Sequence, residues 1–416
     1  MSKSLSRVRG SLVAVLDIGT TKICCFIARL EPSGPRVIGI GHQISHGIRA
    51  GEVVDIDAAA TSILNAVHTA EQMAGETVTR IFINLSGGFL PSRITPIEIP
   101  LGGRAVTDED VKRVVTLGHA YQDAADRQVI HSVPVGYSID GSRGIHDPKG
   151  MTGQRLGVNM QIVSAKTAAV RNVLAAAGRC HLSVEGIVVS PYAAGLAALV
   201  EDEMQLGVTL IDMGGGTTTI GVFYDSALIY ADTIKIGGRH VTNDIARGLS
   251  TPIVHAERMK TLYGSAIRSP EDDRETLNIP MVGEEDNGSN RVPKSQLISI
   301  ILPRLEETFD LVMHRLRSSG FDKLAGRQVV LTGGACQLPG TRELAQRVLD
   351  KQVRIGRPAG VNGLAEASSG PAFATAAGIL LFATTEKREI LTRENPQRDA
   401  PRGMIGRLGT WLRENI

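Results

Sequence analysis

The sequence predicts an α/β protein of two lobes, with a small subdomain inserted in the first lobe and an amphipathic helix at its C-terminal end. Three observations carry this. A strand, a Gly/Thr turn and a second strand occur twice, as "AVLDIGTTKICCFIARL" around Asp17 and "GVTLIDMGGGTTTIGVFY" around Asp212. Each copy is followed later by a strand that runs into a glycine pair, "INLSGG" (83–88) and "VVLTGG" (329–334). Between them, residues 90 to about 163 change texture, with short apolar runs broken by Pro and Gly. A duplicated strand–turn–strand unit in a chain of 416 residues, too long for one ordinary core, implies two α/β lobes of matching design.

The elements follow in order. "SLVAVLDIG" (11–19) and "KICCFIARL" (22–30) are β-rich runs on either side of a turn, and "RVIGIGHQIS" (36–45) extends the sheet. "DAAATSILNAVHTAEQMAG" (57–75) has apolar residues at helical spacing and closes on Gly75. "RIFINLSGG" (80–88) is a strand. In the insert, "RITPIEIP" and "QVIHSVPVGYSID" flank the helix "DEDVKRVVTLGHAYQD". The helix "AKTAAVRNVLAAAG" (165–178) and the strand "VEGIVVS" (184–190) resume the first texture. After the second hairpin, helices are expected to about 267, then an acidic loop or exposed hairpin over 269–290 and a long helix over 295–320. The strand "QVVLTGG" (328–334) follows, then helix to about 385. The resulting division is 1–88 with 164–206 for the first lobe and 89–163 for the insert. The second lobe takes 207–245 with 328–385, and 246–327 forms its small subdomain. Residues 386–402 are a linker and 403–416 a terminal helix.

Composition excludes several classes. Forty-five basic against 43 acidic residues leave a net charge of +2, which argues against general electrostatic binding of nucleic acid. The 4 cysteines include an adjacent pair and no CxxC, so neither a disulfide framework nor a zinc site is expected, and a reducing cytosol fits. The N-terminal apolar run reads straight into a strand and is too short for a signal peptide. The longest apolar stretch, "IVVSPYAAGLAALV" (187–200), contains Pro191 and is too short to span a bilayer, so the body is expected to be cytoplasmic.

The two turns share a chemistry. In "DIGTTK" (Asp17, Gly19, Thr20, Thr21, Lys22) and "DMGGGTT" (Asp212, Gly214, Gly215, Gly216, Thr217, Thr218), glycines let backbone approach an anion and reach positive φ. Amides and threonine hydroxyls then become donors to phosphate oxygens, with Lys22 as a point charge. A carboxylate before each turn repels phosphate unless Mg²⁺ lies between, so Asp17 and Asp212 are candidate metal residues, acting through the ion's water. Tight turns use the same residues for geometry alone; two copies in matching contexts favour the phosphate clamp. Gly333 and Gly334, in "LTGGACQLPG" (331–340), would let backbone pass close to a flat ring or ribose. Glu257 and Lys260, on one face of "AERMKTLYG" (256–264), could meet ribose hydroxyls and adenine or a phosphate; a solvated ion pair is the alternative.

Together these segments resemble the actin/Hsp70/sugar-kinase ATPase superfamily. The two turns look like its phosphate motifs, "IVVSPYAAGLAAL" (187–199) and "GPAFATAAGIL" (370–380) its connecting motifs, and "LTGGACQLPG" its adenosine motif, Ala335 included. More narrowly, the whole chain resembles the FtsA family of bacterial cell division proteins. Stretches that carry this include "SHGIRAGEVVDIDAAATSI" (45–63), "IGGRHVTNDIA" (236–246, with Gly237 and Gly238), "AERMKTLYGSA" (256–266), "ILPRLEETFDLV" (301–312) and the C-terminal tail. The resemblance implies an actin-like fold that binds ATP with Mg²⁺ and polymerises. It further implies that the protein ties the tubulin-like FtsZ to the inner face of the cytoplasmic membrane at the division site, among other division proteins. The insert would be a polymer contact. The FtsZ-binding surface would lie within 246–327, where Arg291, Lys294 and Arg304 read as exposed cations for an acidic C-terminal peptide of FtsZ; a solvated helix face is the alternative. One departure concerns catalysis. Several relatives carry a carboxylate or amide at the first connecting motif to position water, whereas here Ser190 precedes Pro191. A hydroxyl is a poor base, so hydrolysis is expected to be slow or absent even if Asp212 orients a water.

The tail "GMIGRLGTWLRENI" (403–416) holds the only tryptophan. On a helical wheel Met404, Ile405, Leu408, Trp411, Leu412 and Ile416 fall within an arc of roughly 140°, with Arg402, Arg407 and Arg413 at or beyond its edges. Basic flanks around a Trp-bearing apolar stripe suit a helix lying in a lipid headgroup layer; docking on the body or in a partner's groove are the alternatives. Other functions on the same fold fit the sequence less well. A small-molecule kinase needs a carboxylate base between the lobes, a chaperone needs a further substrate domain, and a pilus-assembly ATPase gives the tail no role.

Overall fold

The structure, a computed structural model, describes residues 10–88, 90–283 and 289–384, with backbone alone at 289 and 290. The linker 386–402 and the terminal helix 403–416 lie outside the described residues.

Two five-stranded sheets share one strand order. In the first, the hairpin Leu12–Ile18 and Lys22–Glu31 continues antiparallel into Gly34–Ile44, while Arg80–Leu85 and then Ser183–Val189 add on the other side in parallel. In the second, Val208–Met213 and Thr218–Tyr224 form the hairpin and Ala227–Ile234 extends it. Gln328–Thr332 and Gln352–Ile355 are the parallel additions. The short strand Gln352–Ile355 lies where continuous helix was expected. It sits between the helices Thr341–Leu349 and Ala374–Thr384 and takes its place by parallel pairing rather than by its own pattern.

Strand alternation explains how the first sheet is covered on both faces. Ala14 and Leu16 point toward the helices Ile56–Ala74 and Thr167–Arg179, while Val13 and Val15 pack with Ala193, Ala197, Ile379 and Leu380 of the helices Ser190–Ala198 and Ala374–Thr384. The first of these helices begins at Asp55, whose carboxylate accepts from the amides of Asp57 and Ala58 at 3.0 Å each, and ends on Gly75 at φ 67°.

The helices Ser190–Ala198 and Ala374–Thr384 cross at very close range. A Cβ on Gly378 would lie 1.6 Å from the Ala193 carbonyl oxygen, and one on Gly195 would strike the Phe223 ring at 2.3 Å. The Ala- and Gly-rich composition of both connecting segments follows from this approach. Leu210, Phe223 and Val330 of the second sheet pack into the same cluster as Ala194 and Ala198, so Ser190–Ala198 also touches the second lobe. The other face of that sheet, through Ile211, Met213, Ile220 and Val222, packs on Gly238–Gly248 and the long helix Lys294–Ser319. The hairpin Thr276–Pro280 and Ser289–Pro293 leads into the long helix.

The insert forms its own four-stranded sheet, in the order Ser92–Pro100, Arg155–Lys166, Arg127–Ile139, Ser142–Ile145, with the helix Asp108–His119 on one face. Its edge meets the second lobe, where the Ala231 amide donates to Ser92 Oγ at 2.7 Å.

Candidate functional site

The two turns are built alike and meet. Gly19 N donates to the Lys22 carbonyl at 3.0 Å, and Gly214 N donates to the Thr217 carbonyl at 2.9 Å. A Cβ on Gly215 would fall 2.4 Å from the Thr21 side chain, and one on Gly216 would fall 2.4 Å from Thr20 Oγ1. The turn glycines are therefore needed for close approach of turn to turn. Contrary to the expectation of positive φ, none of Gly19, Gly214, Gly215 or Gly216 occupies the left-handed region; Gly333, at φ 86°, does. A Cβ there would collide with Asp212 Oδ1 at 2.4 Å and the Met213 carbonyl at 2.5 Å.

Asp17 and Asp212 each lie one residue before the end of the central hairpin strand, Asp17 buried and Asp212 partly so. Burial pushes the Asp17 carboxyl up to about 6, against the pull of Lys22 and a hydrogen bond from Asn84. Burial, and then the charge of Asp17, push Asp212 up to about 7, opposed by the Thr375 hydroxyl and Lys22. The two acids thus stand within electrostatic reach across one cleft, with Lys22 acting on both.

Several predicted site residues already have partners. Thr218 gives its hydroxyl proton to the Ile236 carbonyl at 2.8 Å, so it is not a donor to an anion in the turn. Thr20 Oγ1 accepts from the Gly51 amide at 3.0 Å, which leaves its own proton to donate. Lys22 Nζ donates to the Ala372 carbonyl at 2.7 Å and lies 3.5 Å from the centre of the Phe373 ring. Ser190 is buried at the first turn of its helix, and its Oγ accepts from Asn84 Nδ2 at 3.0 Å.

Beyond the turns the cleft widens into a cavity of about 380 Å³, reached by Thr21 and Gly215 at one end and lined by Gly237, Gly238, Glu257, Lys260, Gly334 and Ala335. Lys260 Nζ lies 2.7 Å from Glu257 Oε2, 2.9 Å from the Thr242 hydroxyl and 3.2 Å from the Gly238 carbonyl. The pair predicted from i, i+3 spacing therefore forms at the cavity wall. The helix Gly238–Gly248 spends its first amides on the second turn: Gly238 N donates to Gly214 O at 3.0 Å and Arg239 N to Gly215 O at 2.7 Å. It locks the turn rather than offering an open N-terminus.

Two site residues were missed by sequence reasoning. Asn84 Nδ2 donates to Asp17 Oδ1 at 2.8 Å, and its Oδ1 accepts from the Ile18 amide at 2.7 Å. Thr375 donates to Asp212 Oδ2 at 3.2 Å. The one signal for Asn84 was an amide inside the otherwise apolar run "IFINL", and for Thr375 its place in the connecting stretch "GPAFATAAGIL".

None of the three cations proposed for a partner lines this cavity. Arg304 is held by Asp244, at 2.5 and 3.2 Å, and by Glu307. Lys294 is held by Glu275 at 2.8 Å and Asp272 at 3.5 Å. Neither is the unengaged cation expected, because acids distant in sequence fold back onto them. Arg291 is exposed on the hairpin, opposite Asn278.

Comparison with known proteins decides the family. The family model described as "Cell division protein FtsA" matches residues 209–378, and that of the SHS2 domain inserted in FtsA matches residues 87–164. The cell division protein FtsA of Agrobacterium fabrum is 45% identical, the alignment covering 100% of this chain and 97% of that one. The chain belongs to the FtsA family of cell division proteins. The Pseudomonas aeruginosa member is 33% identical over 98% of this chain and 99% of its own. Among solved structures, the PilM–PilN type IV pilus biogenesis complex aligns at TM-score 0.63 and 17% identity, covering 91% of this chain and 99% of that one. MreB5 of Spiroplasma citri bound to ADP aligns at TM-score 0.56 and 14% identity, covering 92% and 99%. At those identities the likeness concerns the fold alone, which is the actin-like two-lobed α/β fold, here with an SHS2 insert. Among the described residues, no helix is long and apolar enough to cross a membrane.

Proposed function

We propose that this FtsA-family protein binds ATP with Mg²⁺ between its lobes, assembles into filaments, and anchors FtsZ to the inner face of the cytoplasmic membrane at the division site. The observation that carries the nucleotide reading is the pair of matched turns that brings Asp17 and Asp212 to one cleft opening on the glycine-lined cavity. Two acids whose burial raises their proton affinity, with Asp212 raised further by the charge of Asp17, fit a divalent cation bound with a polyphosphate: the ion supplies the positive charge that makes both ionised forms favourable. Asp17 and Asp212 would hold it through water, the amides of the two turns would face the phosphates, and Gly238, Gly334 and Ala335 leave room for a base and ribose beside Glu257 and Lys260. Ser190 offers no base, and Asn84 already occupies its oxygen, which supports slow or absent hydrolysis. Asp212→Ala is expected to abolish Mg-ATP binding in a fluorescent-nucleotide titration; binding at wild-type affinity would refute the site.

The membrane reading rests on the sequence of the tail. Burial of five or six apolar side chains at ~1.5–3 kcal/mol each is nearly offset by ordering about fourteen residues at ~1–2 kcal/mol each. One tail then binds lipid weakly, and many tails on a filament bind firmly. Trp411→Glu is expected to remove pelleting with anionic liposomes, and equal pelleting would exclude this face. For FtsZ, the exposed Arg291 is the cation left to meet an acidic peptide, so Arg291→Glu should weaken titrated binding of the FtsZ C-terminal peptide. Unchanged affinity would clear it from the surface.

A further inference from the structure

The insert and the nucleotide cleft are joined by a continuous line of buried polar contacts. His131, on the insert strand Arg127–Ile139, is 1% exposed. Its Nε2 accepts the Val189 amide at 3.1 Å, across the boundary between insert and core. Val189 is the N-cap of the helix Ser190–Ala198, where its amide ends the parallel sheet and sets the entry of that helix. The next residue, Ser190, accepts from Asn84 Nδ2, and the same amide nitrogen donates to Asp17 Oδ1. The His131 ring is held in place by Tyr192 of the same helix, edge-on at 5.3 Å between centres, and by Phe382, stacked at 6.2 Å. Burial among these rings drives its proton affinity down to about 3, so the ring stays neutral and Nε2 stays an acceptor. Its Nδ1 is buried and finds no partner. A buried polar group left half satisfied is retained at a loss of stability, which a merely packed apolar side chain would avoid.

We propose that His131 is a positioning residue that couples the seating of the insert to the first-lobe acid, through Val189, Ser190 and Asn84 to Asp17. This rests on the nucleotide reading of the cleft. Displacing the insert releases the Val189 amide and with it the start of the helix that carries Ser190. Asn84 then loses one of its two acceptors and no longer fixes the Asp17 carboxylate. By linkage the effect is reciprocal: a nucleotide that fixes Asp17 tightens the seat of the insert.

The test is Mg-ATP affinity of the full chain in wild type, His131→Phe, His131→Gln, Asn84→Ala and the double variant His131→Phe/Asn84→Ala. One neutral buried hydrogen bond corresponds to about three- to tenfold in affinity, which is the loss expected for His131→Phe. Partial recovery is expected in His131→Gln, whose amide oxygen can accept in place of Nε2. The double variant should bind no more weakly than Asn84→Ala alone, because both act on one path. Wild-type affinity in His131→Phe, or losses that multiply in the double variant, would overturn the coupling while leaving the nucleotide site standing. Failure of wild type itself to bind Mg-ATP would remove both. Hydrogen exchange supplies a second reading for the case that His131→Phe does not fold. Mg-ATP should slow exchange across 127–139 in wild type and not in Asn84→Ala; equal slowing in the two would also overturn the coupling.

Discussion

Asp17 and Asp212 are the residues whose chemistry the rest of the molecule serves, and their protonation gives a sign that can be checked. Both folded-state values, about 6 and about 7, lie above the ordinary 3.8. Between those limits the native state holds protons that the unfolded chain has lost, so ν_N exceeds ν_U and stability falls as pH rises. The nucleotide-free protein should therefore be more stable at pH 5 than at pH 8 as far as these two groups are concerned. Asp212→Asn should flatten that slope and raise the melting temperature at pH 8, while losing Mg-ATP binding. A melting series across pH 4–8 for both proteins reads this directly, and an unchanged slope in the variant would contradict it. These acids were legible because each precedes a glycine turn and the turn is repeated. Asn84 and Thr375 were not, since their role depends on strands and helices that meet only in three dimensions. The same limit explains Lys294 and Arg304, whose neutralising partners Asp244, Asp272 and Glu275 lie on other elements.

At the scale of elements, the repeated hairpin foretold two α/β lobes of matching design, while the strand order that the two sheets share came from the structure. The strand Gln352–Ile355 escaped because four residues, "QVRI", carry too little pattern to stand out between helices. The connecting helices show the opposite case. Their Ala and Gly content was plain in sequence, and its reason is the crossing of Gly378 over Ala193. Gly378→Ala places a methyl group 1.6 Å from a backbone oxygen that cannot swing aside, so the helices must separate. Overpacking of this kind costs about 1–3 kcal/mol, and urea unfolding should show at least that loss. A variant as stable as wild type would mean that the two helices have slack. Asp55→Ala, which removes the acceptor for two amides at the start of Ile56–Ala74, should cost about 1 kcal/mol without touching nucleotide affinity.

At the scale of the whole molecule, polar ties between the lobes include Arg354 with Glu203 and the Ala198 carbonyl, and the Ala359 amide with the Ala197 carbonyl at 2.9 Å. Lys22 reaches Ala372, and Lys235 reaches Glu52 at 2.7 Å. The Lys235–Glu52 pair is largely exposed, and such pairs contribute about 0–1 kcal/mol. Glu52→Ala should accordingly leave the unfolding free energy almost unchanged, and a loss well above that range would show that the pair closes the cleft more firmly than an exposed contact can. The insert is a further bridge. It leaves the chain within the first lobe, yet its edge rests on Ala227–Ile234 of the second, with His146 Nδ1 3.3 Å from Asp225 as a further contact.

That resting place has a consequence for how the protein survives at high local concentration. Ala227–Ile234, "ALIYADTI", ends its sheet and is apolar enough to recruit a stray strand from another molecule. Ser92 ties up the outward amide of Ala231 and the insert shields the rest, so the open border of one half is sealed by a piece borrowed from the other.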